Sequence, residues 1–308
     1  MTERVAYDEF SYFHENASEY GIHYDGPPTV RRERVDLGDG RSLSALVWGD
    51  AEPELVLVHG GAQNAHTWDT VALALGRPLL AVDLPGHGHS DGPAEGVGTD
   101  PLSNANDVAM AIRALAPNAA AVVGMSLGGL TSLALAHAHA ELVRKLVLVD
   151  VTPGVTGNKA AQIIAFVNGP ESFPSFAEIL ERTVQFNPTR TEASLRRGIL
   201  HNAEQQEDGS WVWRHARHRT MRPPSSEGDA PRLDASVLWD AVSGLQVPVM
   251  LVRGMREQSV VTDEDEAELV KRQPSARIEH VADAGHSVQG DTPLELAALL
   301  ESFVFSAG

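Results

Sequence analysis

Short, uninterrupted runs of apolar residues alternate with helix-like stretches, and this rhythm constrains the fold more than any other feature of the chain. The runs are LVLV at 55–58, PLLAV at 78–82, AAVV at 120–123, KLVLV at 145–149 and PVMLV near 250, with a last strand-like segment ARIEHV near 280. Continuous apolar runs are typical of strands buried on both faces, as in a parallel sheet. Strands separated by helices indicate βαβ units. The predicted fold class is therefore α/β, with a mostly parallel, doubly wound sheet.

The same rhythm divides the chain into three parts. Residues 1–28 form a polar N-terminal extension. Residues 29–153 and 241–308 carry the strand and helix patterns and are predicted to form one α/β core. Between them, residues 154–240 show helical patterns such as KAAQIIAFV and FAEILERTV and no buried-strand run. We therefore interpret residues 154–240 as a helical lid inserted between the two parts of the core.

The N-terminal region carries two further local signals. All four tyrosines of the chain lie in the extension, and so many rings need a surface to cover. We expect a helix docked on the chain's own domain, with a homodimer contact as the alternative. From Val30 to Trp48, two alternating segments flank Gly38-Asp39-Gly40, and the Asp-Gly pair predicts a β-hairpin.

The chain is strongly acidic and contains no cysteine. With 24 basic and 42 acidic residues its formal net charge is −18, so its surface repels the phosphates of nucleic acid and of anionic membranes. The lack of cysteine excludes disulfides and thiolate catalysis. The polar N-terminus is unlike a signal peptide, and no run approaches the ~18 apolar residues of a membrane span. We expect a cytoplasmic protein whose partner is a small-molecule substrate, without nucleic acid or membrane binding.

The most specific motif is Gly124-Met125-Ser126-Leu127-Gly128, which has the pattern G-x-S-x-G. It directly follows an apolar strand and directly precedes an apolar helix, which is the context that the motif requires. A strand that reverses straight into a helix strains the central serine, and the flanking glycines keep Cβ atoms out of the turn. Ser126 is therefore predicted to be an exposed nucleophile beside a helix N-terminus, where negative charge is favoured.

Three further motifs follow predicted strands in a consistent order. They are His59-Gly60-Gly61, the loop DLPGHGHS from Asp83 to Ser90, and Ala284-Gly285-His286. Together with the serine motif they resemble the α/β-hydrolase superfamily, and the resemblance covers nearly everything from Val30 onward. It implies a serine esterase or lipase-like fold with an inserted helical lid, an oxyanion turn after the first of these strands and a catalytic histidine after the last.

The resemblance implies a role for each of these positions. His286 is predicted to be the general base that takes the Ser126 proton and returns it to the leaving group. The oxyanion hole is predicted to use the backbone N–H groups of Leu127 and Gly61, with Ala62 as the alternative second donor.

The triad acid departs from the superfamily's commonest pattern. The usual position, three residues after the glycine that ends the strand PVMLVRG, holds Glu257 instead of an aspartate. A second position used within the superfamily, at the end of the strand after the nucleophile helix, holds Asp150. A carboxylate between two valines at the end of a buried strand needs a partner. We therefore favour Asp150 over Glu257.

The predicted function is hydrolysis of a small carboxylic ester, or of a lactone or thioester, through an acyl-serine intermediate without metal or organic cofactor. The pairs His87/His89 and His137/His139 lack further ligands, so no metal site is predicted. Perhydrolase or carbon–carbon bond hydrolase chemistry on the same triad is an alternative, and so is a non-catalytic ligand-binding relative. The stretch from Trp211 to Trp213 is expected either to line a pocket or to pack the lid onto the core.

Overall fold

The computed structural model describes residues 4–94, 100–156, 159–215 and 235–306. Its centre is an eight-stranded sheet. The strands, numbered along the chain, are β1 (Val30–Asp36), β2 (Ser42–Trp48), β3 (Leu55–Val58), β4 (Leu79–Val82), β5 (Ala121–Met125), β6 (Leu146–Val149), β10 (Val249–Gly254) and β11 (Arg277–Val281). Their order across the sheet is β1-β2-β4-β3-β5-β6-β10-β11. Strand β2 runs antiparallel to β1 and β4, and the other neighbouring strands pair in parallel. The predicted hairpin and the predicted parallel sheet are both confirmed.

Helices cover both faces of this sheet. One face holds α3 (Pro101–Leu115), α4 (Leu127–Ala138), α8 (Ala235–Gly244) and α9 (Asp263–Arg272), and the other holds α1 (Phe13–Tyr20), α2 (Asp69–Leu75) and α11 (Pro293–Phe305). A short helix α10 (Val288–Asp291) and two 3₁₀ turns, Ala65–Trp68 and Ala140–Leu142, complete the core. Because each face is packed separately, the sheet is doubly wound, as predicted. Across the described ranges, no helix has the length and apolar character needed to cross a bilayer.

The segment 159–215, here called the inserted segment, adds no strand to the large sheet. It contains helices α5 (Ala161–Val167), α6 (Phe176–Phe186) and α7 (Glu192–Asn202) and a small antiparallel sheet of β7 (Ser172–Phe173), β8 (Ala203–Gln205) and β9 (Trp211–Trp213). An apolar core of its own, which includes Ile179, Ile199 and Trp211, holds these elements together. The sequence pattern did not predict the small sheet, because its strands are only two or three residues long.

One helix crosses the boundary predicted at residue 240. Helix α8 begins at Ala235, and its Leu238, Ala241 and Val242 pack into the core beneath the sheet. Residues 235–240 therefore belong with the core, since the apolar face of α8 continues across the predicted boundary. The part of the predicted lid at 216–234 lies outside the described residues.

The N-terminal extension docks on the chain's own domain. Phe13 in α1 is buried, with its ring centroid 4.8 Å from that of Trp48. The Tyr20 hydroxyl donates to the Gly290 carbonyl at 3.1 Å, and the Tyr7 hydroxyl lies 2.9 Å from His201 Nδ1 in α7. The extension therefore contacts both the core and the inserted segment.

Candidate active site

Ser126 occupies a sharp turn between β5 and α4. Its backbone has φ 51° and ψ −120°, which is a strained conformation for a residue other than glycine. The flanking glycines make this turn feasible: a Cβ on Gly124 would lie 2.4 Å from the Gly128 carbonyl oxygen, and one on Gly128 would lie 2.2 Å from that of Val58. The sequence therefore places the Ser126 side chain at the N-terminus of α4, where free N–H groups favour negative charge.

Asp150 holds the imidazole of His286. The His286 Nδ1 atom donates to Asp150 Oδ2 at 2.9 Å, and the carboxylate is completely buried. Three further donors stabilise the same carboxylate: Gly254 N at 3.0 Å, Ser259 Oγ at 2.6 Å and Val260 N at 3.1 Å. These four donors supply the hydrogen bonds that a buried carboxylate needs. The contact with Nδ1 fixes the ring tautomer that leaves Nε2 without a proton.

Glu257 lies apart from this arrangement. It is exposed, and its carboxylate accepts a hydrogen bond from the neighbouring Gln258 Nε2 at 3.3 Å. No hydrogen bond joins Glu257 to His286 in the described part of the chain. Of the two candidate acids, only Asp150 forms a hydrogen bond with the histidine.

Ser126 and His286 line one cavity but do not form a hydrogen bond with each other in the structure. The Nε2 atom of His286 has no hydrogen-bond partner among the described residues. Hydrogen bonds of catalytic groups are often long in a free enzyme and shorten when substrate binds. The arrangement therefore offers a basic nitrogen, oriented by Asp150, on the cavity that holds the serine.

Two backbone N–H groups beside Ser126 are free to bind an oxyanion. The His59-Gly60-Gly61 turn touches the serine, because a Cβ on Gly60 would lie 3.2 Å from Ser126 Cβ. No acceptor is bonded to the N–H of Gly61 or of Leu127 within the described ranges. The N–H of Ala62, by contrast, donates to His87 Nε2 at 3.1 Å. This contact favours Gly61 over Ala62 as the second donor.

The His59 side chain holds the turn at 59–61 in place through two hydrogen bonds. It is fully buried, its Nε2 accepts from the Leu84 N–H at 2.9 Å, and its Nδ1 donates to the Gly60 carbonyl at 2.7 Å. Burial lowers the pKa of His59 to about 3, with a further contribution from His87. The ring is therefore neutral at neutral pH and positions the turn at 59–61.

The comparisons with known proteins identify the family of the chain. The sequence profile of the alpha/beta hydrolase family matches residues 55–299. The chain belongs to the alpha/beta hydrolase family. It is 44% identical to the esterase Rv0045c of Mycobacterium tuberculosis, over 97% of this chain and 96% of that protein. It is 29% identical to the sn-1-specific diacylglycerol lipase ABHD11 of Xenopus laevis, over 88% of this chain and 83% of that protein.

A solved structure of the Mycobacterium tuberculosis esterase has the same fold as this alpha/beta hydrolase. The two superpose with a TM-score of 0.82 at 42% identity, over 98% of this chain and all of the other. That structure is described together with transition-metal inhibition of the esterase. The likeness therefore extends beyond the sheet to the inserted segment and the N-terminal extension.

The cavity of this hydrolase has a volume of about 540 Å³ and three kinds of wall. The predicted nucleophile Ser126 and the predicted base His286 both line it. The inserted segment contributes apolar side chains, among them Phe166, Phe186 and Trp213. Trp213 thus both packs against its neighbours and borders the cavity, whereas Trp211 lies in the core of the inserted segment.

The third wall is polar and contains a buried ionic cluster. His66 donates to Asp69 at 2.9 Å from Nδ1 and to Glu9 at 3.0 Å from Nε2, and its ring stacks on that of His201. Burial alone would lower the pKa of His66, but the carboxylates of Asp69 and Glu9 raise it to about 9. Burial holds the pKa of His201 well below its usual value. Sequence reasoning missed this cluster, because its members come from the extension, the core and the inserted segment.

Proposed function

We propose that this chain is a serine esterase that hydrolyses a small carboxylic ester through an acyl-serine intermediate. The observation that carries the proposal is the Asp150–His286 hydrogen bond of 2.9 Å, on the cavity that also contains the strained Ser126. The 44% identity to an esterase over 97% of the chain supports the same activity. A lactone or a thioester is a substrate of the same chemical class, since each is attacked at an acyl carbon.

In the proposed mechanism, the unprotonated Nε2 of His286 removes the proton of Ser126 as the serine oxygen attacks the ester carbonyl. Asp150 keeps the ring in the correct tautomer and stabilises the imidazolium that forms. The N–H groups of Leu127 and Gly61 donate to the negative oxygen of the tetrahedral intermediate. His286 then protonates the leaving alcohol, and water attacks the acyl-serine by the reverse sequence of proton transfers.

We also propose that the lid predicted at 154–240 selects the acyl or alcohol group through its described part, the inserted segment. Its apolar side chains Phe166, Phe186 and Trp213 form a wall of the cavity, and the ester must fit between them and Ser126. The volume of about 540 Å³ is that of a site for a small molecule. A cytoplasmic location, a dissolved substrate and the lack of a nucleic-acid or membrane partner belong to the same proposal, with a homodimer as the alternative to a single chain.

The test of the esterase proposal is covalent labelling followed by a substrate panel. A fluorophosphonate probe should label the wild-type protein at the peptide that contains Ser126. The control variant Ser243→Ala, altered at an exposed serine of α8, should be labelled to the same extent as the wild type. Activity on p-nitrophenyl esters of rising chain length then defines the acyl preference. A protein that binds such esters but is neither labelled nor active would be a ligand-binding relative. An assay with peroxide detects perhydrolase activity, and an assay with a diketone substrate detects carbon–carbon bond hydrolase activity.

Transition-metal inhibition, described for the Mycobacterium tuberculosis esterase, is proposed for this chain as well. Imidazole and carboxylate groups on the cavity wall support this proposal. The assay is the rate of ester hydrolysis with increasing Zn²⁺, compared with the same concentrations of Mg²⁺. Equal rates in both series would remove this part of the proposal and leave the esterase activity untouched.

A further inference from the structure

Three potential metal ligands converge where the inserted segment meets the core. One donor atom from each of His66, Asp69 and His201 lies within 4.8 Å of the other two. All three side chains are almost completely buried, with exposed fractions of 2% for His66, 2% for Asp69 and 5% for His201. They also border the cavity that contains Ser126. Two imidazoles and one carboxylate form the donor set that borderline divalent ions such as Zn²⁺ prefer.

Neighbouring groups orient both imidazoles from behind. Glu9 accepts from His66 Nε2 at 3.0 Å, which leaves Nδ1 directed toward Asp69. The Tyr7 hydroxyl lies 2.9 Å from His201 Nδ1, which leaves His201 Nε2 3.9 Å from Asp69 Oδ2. Metal-binding histidines characteristically use their second nitrogen in this way, on a carboxylate or another polar group.

Asp69 supplies an independent observation. Its Oδ1 atom is buried and has no hydrogen-bond partner among the described residues, although Oδ2 accepts from His66. An unpaired buried carboxylate oxygen is costly, because its lost hydration is not replaced. The Asp69 carboxylate therefore lacks one positive or hydrogen-bonding partner.

We propose that His66, Asp69 and His201 bind one divalent transition-metal ion, with Zn²⁺ as the preferred ion, and that this ion inhibits the enzyme from outside the catalytic triad. The fourth coordination position faces the cavity and takes water. The metal site is separate from the residues of the proposed esterase activity. The inference rests on that activity only where inhibition of ester hydrolysis is measured.

Binding requires a local rearrangement that the structure defines. The two rings now stack with centroids 3.8 Å apart and planes 12° apart, so their in-plane lone pairs cannot meet at one point. They must tilt, and the donor atoms must approach to the ~2.0–2.2 Å bonds of zinc to nitrogen and oxygen. His66 also gives up the proton that it shares with Asp69, since a ligating imidazole must be neutral.

This rearrangement is coupled to the oxyanion turn. Asn64 donates from Nδ2 to the His201 carbonyl at 3.1 Å and accepts from the His66 N–H at 2.9 Å. Asn202, the next residue after His201, donates from Nδ2 to the Ala62 carbonyl. When the metal tilts the His66 and His201 rings, it displaces the hydrogen bonds of Asn64 and Asn202. These hydrogen bonds hold the turn that contains Gly61. We therefore expect a lower kcat without direct competition for Ser126.

The experiment measures metal binding without reference to activity. Chelator-treated protein is titrated with Zn²⁺ by calorimetry and with Co²⁺ by visible absorption, which reports four-coordinate geometry. One ion per chain is expected. His66→Gln and His201→Gln should each weaken binding by more than about 100-fold, and the exposed control His23→Gln should bind as the wild type does. Tyr7→Phe, which keeps all three ligands, should weaken binding by about 10- to 100-fold.

The outcomes separate this site from others. Unchanged Zn²⁺ affinity in both His66→Gln and His201→Gln overturns the proposal. Loss of binding in His286→Gln with retention in His201→Gln also overturns it, because the ion would then sit on the catalytic histidine. If His201→Gln does not fold, Zn²⁺ binding is measured in Tyr7→Phe and Asp69→Asn instead, and unchanged affinity in both overturns the proposal. If the protein hydrolyses no ester, the esterase proposal fails while the titrations still decide the metal site.

Discussion

The two polar sites on the cavity differ in how their residues are brought together. Around Ser126, each group lies at the end of a strand of the central sheet, and short loops with glycines hold it there. Around His66, the groups come from a 3₁₀ turn and the start of α2, from helix α7 and from the N-terminal extension, and hydrogen bonds and ring stacking of side chains connect these segments. The first site is built on the most buried part of the fold. The second depends on three segments staying docked, so it can be altered without loss of the sheet.

The largest expected effect tests the site on the sheet. Ser126→Ala should lower kcat by about a million-fold, because the nucleophile is removed while binding and the oxyanion donors remain. Its melting temperature should match or exceed that of the wild type, since the strained turn is retained and no core contact is lost. Hydrolysis of p-nitrophenyl esters by purified protein measures the first quantity and calorimetry the second. Substantial remaining activity would show that another group attacks the ester.

The next largest effect distinguishes the two candidate acids. Asp150→Asn should reduce kcat by about 10⁴-fold, because an amide no longer fixes the tautomer of His286 or stabilises its charge. The matched variant Glu257→Gln should change kcat far less, since Glu257 is exposed and does not contact the histidine. Circular dichroism of both variants checks that the fold is intact. The opposite ranking would transfer the role of triad acid to Glu257.

An effect of intermediate size concerns stability at acid pH. Burial holds the pKa of His59 at about 3 in the folded protein, against about 6.5 for an unfolded histidine. Unfolding therefore takes up a proton at His59 between these pH values, and His59 alone should lower the free energy of unfolding by about 1.4 kcal/mol for each pH unit between about 6.5 and about 3. Urea unfolding at several pH values measures this slope. His59→Gln keeps an acceptor for the Leu84 N–H and should have a shallower slope by that amount.

The smallest expected effect tests the link between the two sites. Asn202→Ala removes the hydrogen bond from α7 to the Ala62 carbonyl and should lower kcat by about ten-fold, the equivalent of ~1.4 kcal/mol. The control is Asn118→Ala, which removes a surface hydrogen bond to Glu52 and should leave kcat unchanged. Steady-state kinetics with one p-nitrophenyl ester suffices. Equal rates in the two variants would mean that the inserted segment does not support the oxyanion turn.

Sequence reasoning succeeded where a property is local. Buried strands such as LVLV at 55–58 are visible in the sequence as apolar runs. The strained turn at Ser126 follows from the glycines around it. The preference for Asp150 over Glu257 also came from local character, namely a carboxylate at the end of a buried strand, and the observed contact with His286 supports it.

Sequence reasoning could not find features that depend on contacts between distant segments. Ser259 and Val260 stabilise Asp150 from a loop more than 100 residues away, and no periodicity relates them. The small sheet of the inserted segment has strands too short to leave a pattern. His66 and His201 are unremarkable among thirteen histidines until the fold stacks their rings.

The docking of the N-terminal extension sets an order of events during synthesis. Tyr20 leaves the ribosome early, but its partner Gly290 follows 270 residues later. At ~5–20 residues per second, the interval is roughly 15 to 50 s. Throughout that time Tyr20 lacks the carbonyl that its hydroxyl finally binds, whereas Phe13 can pack on Trp48 as soon as β2 has emerged. The part of the cavity wall that Tyr20 forms is therefore among the last parts of the molecule to be completed, and a nascent chain halted before α10 would leave the Tyr20 hydroxyl without this partner.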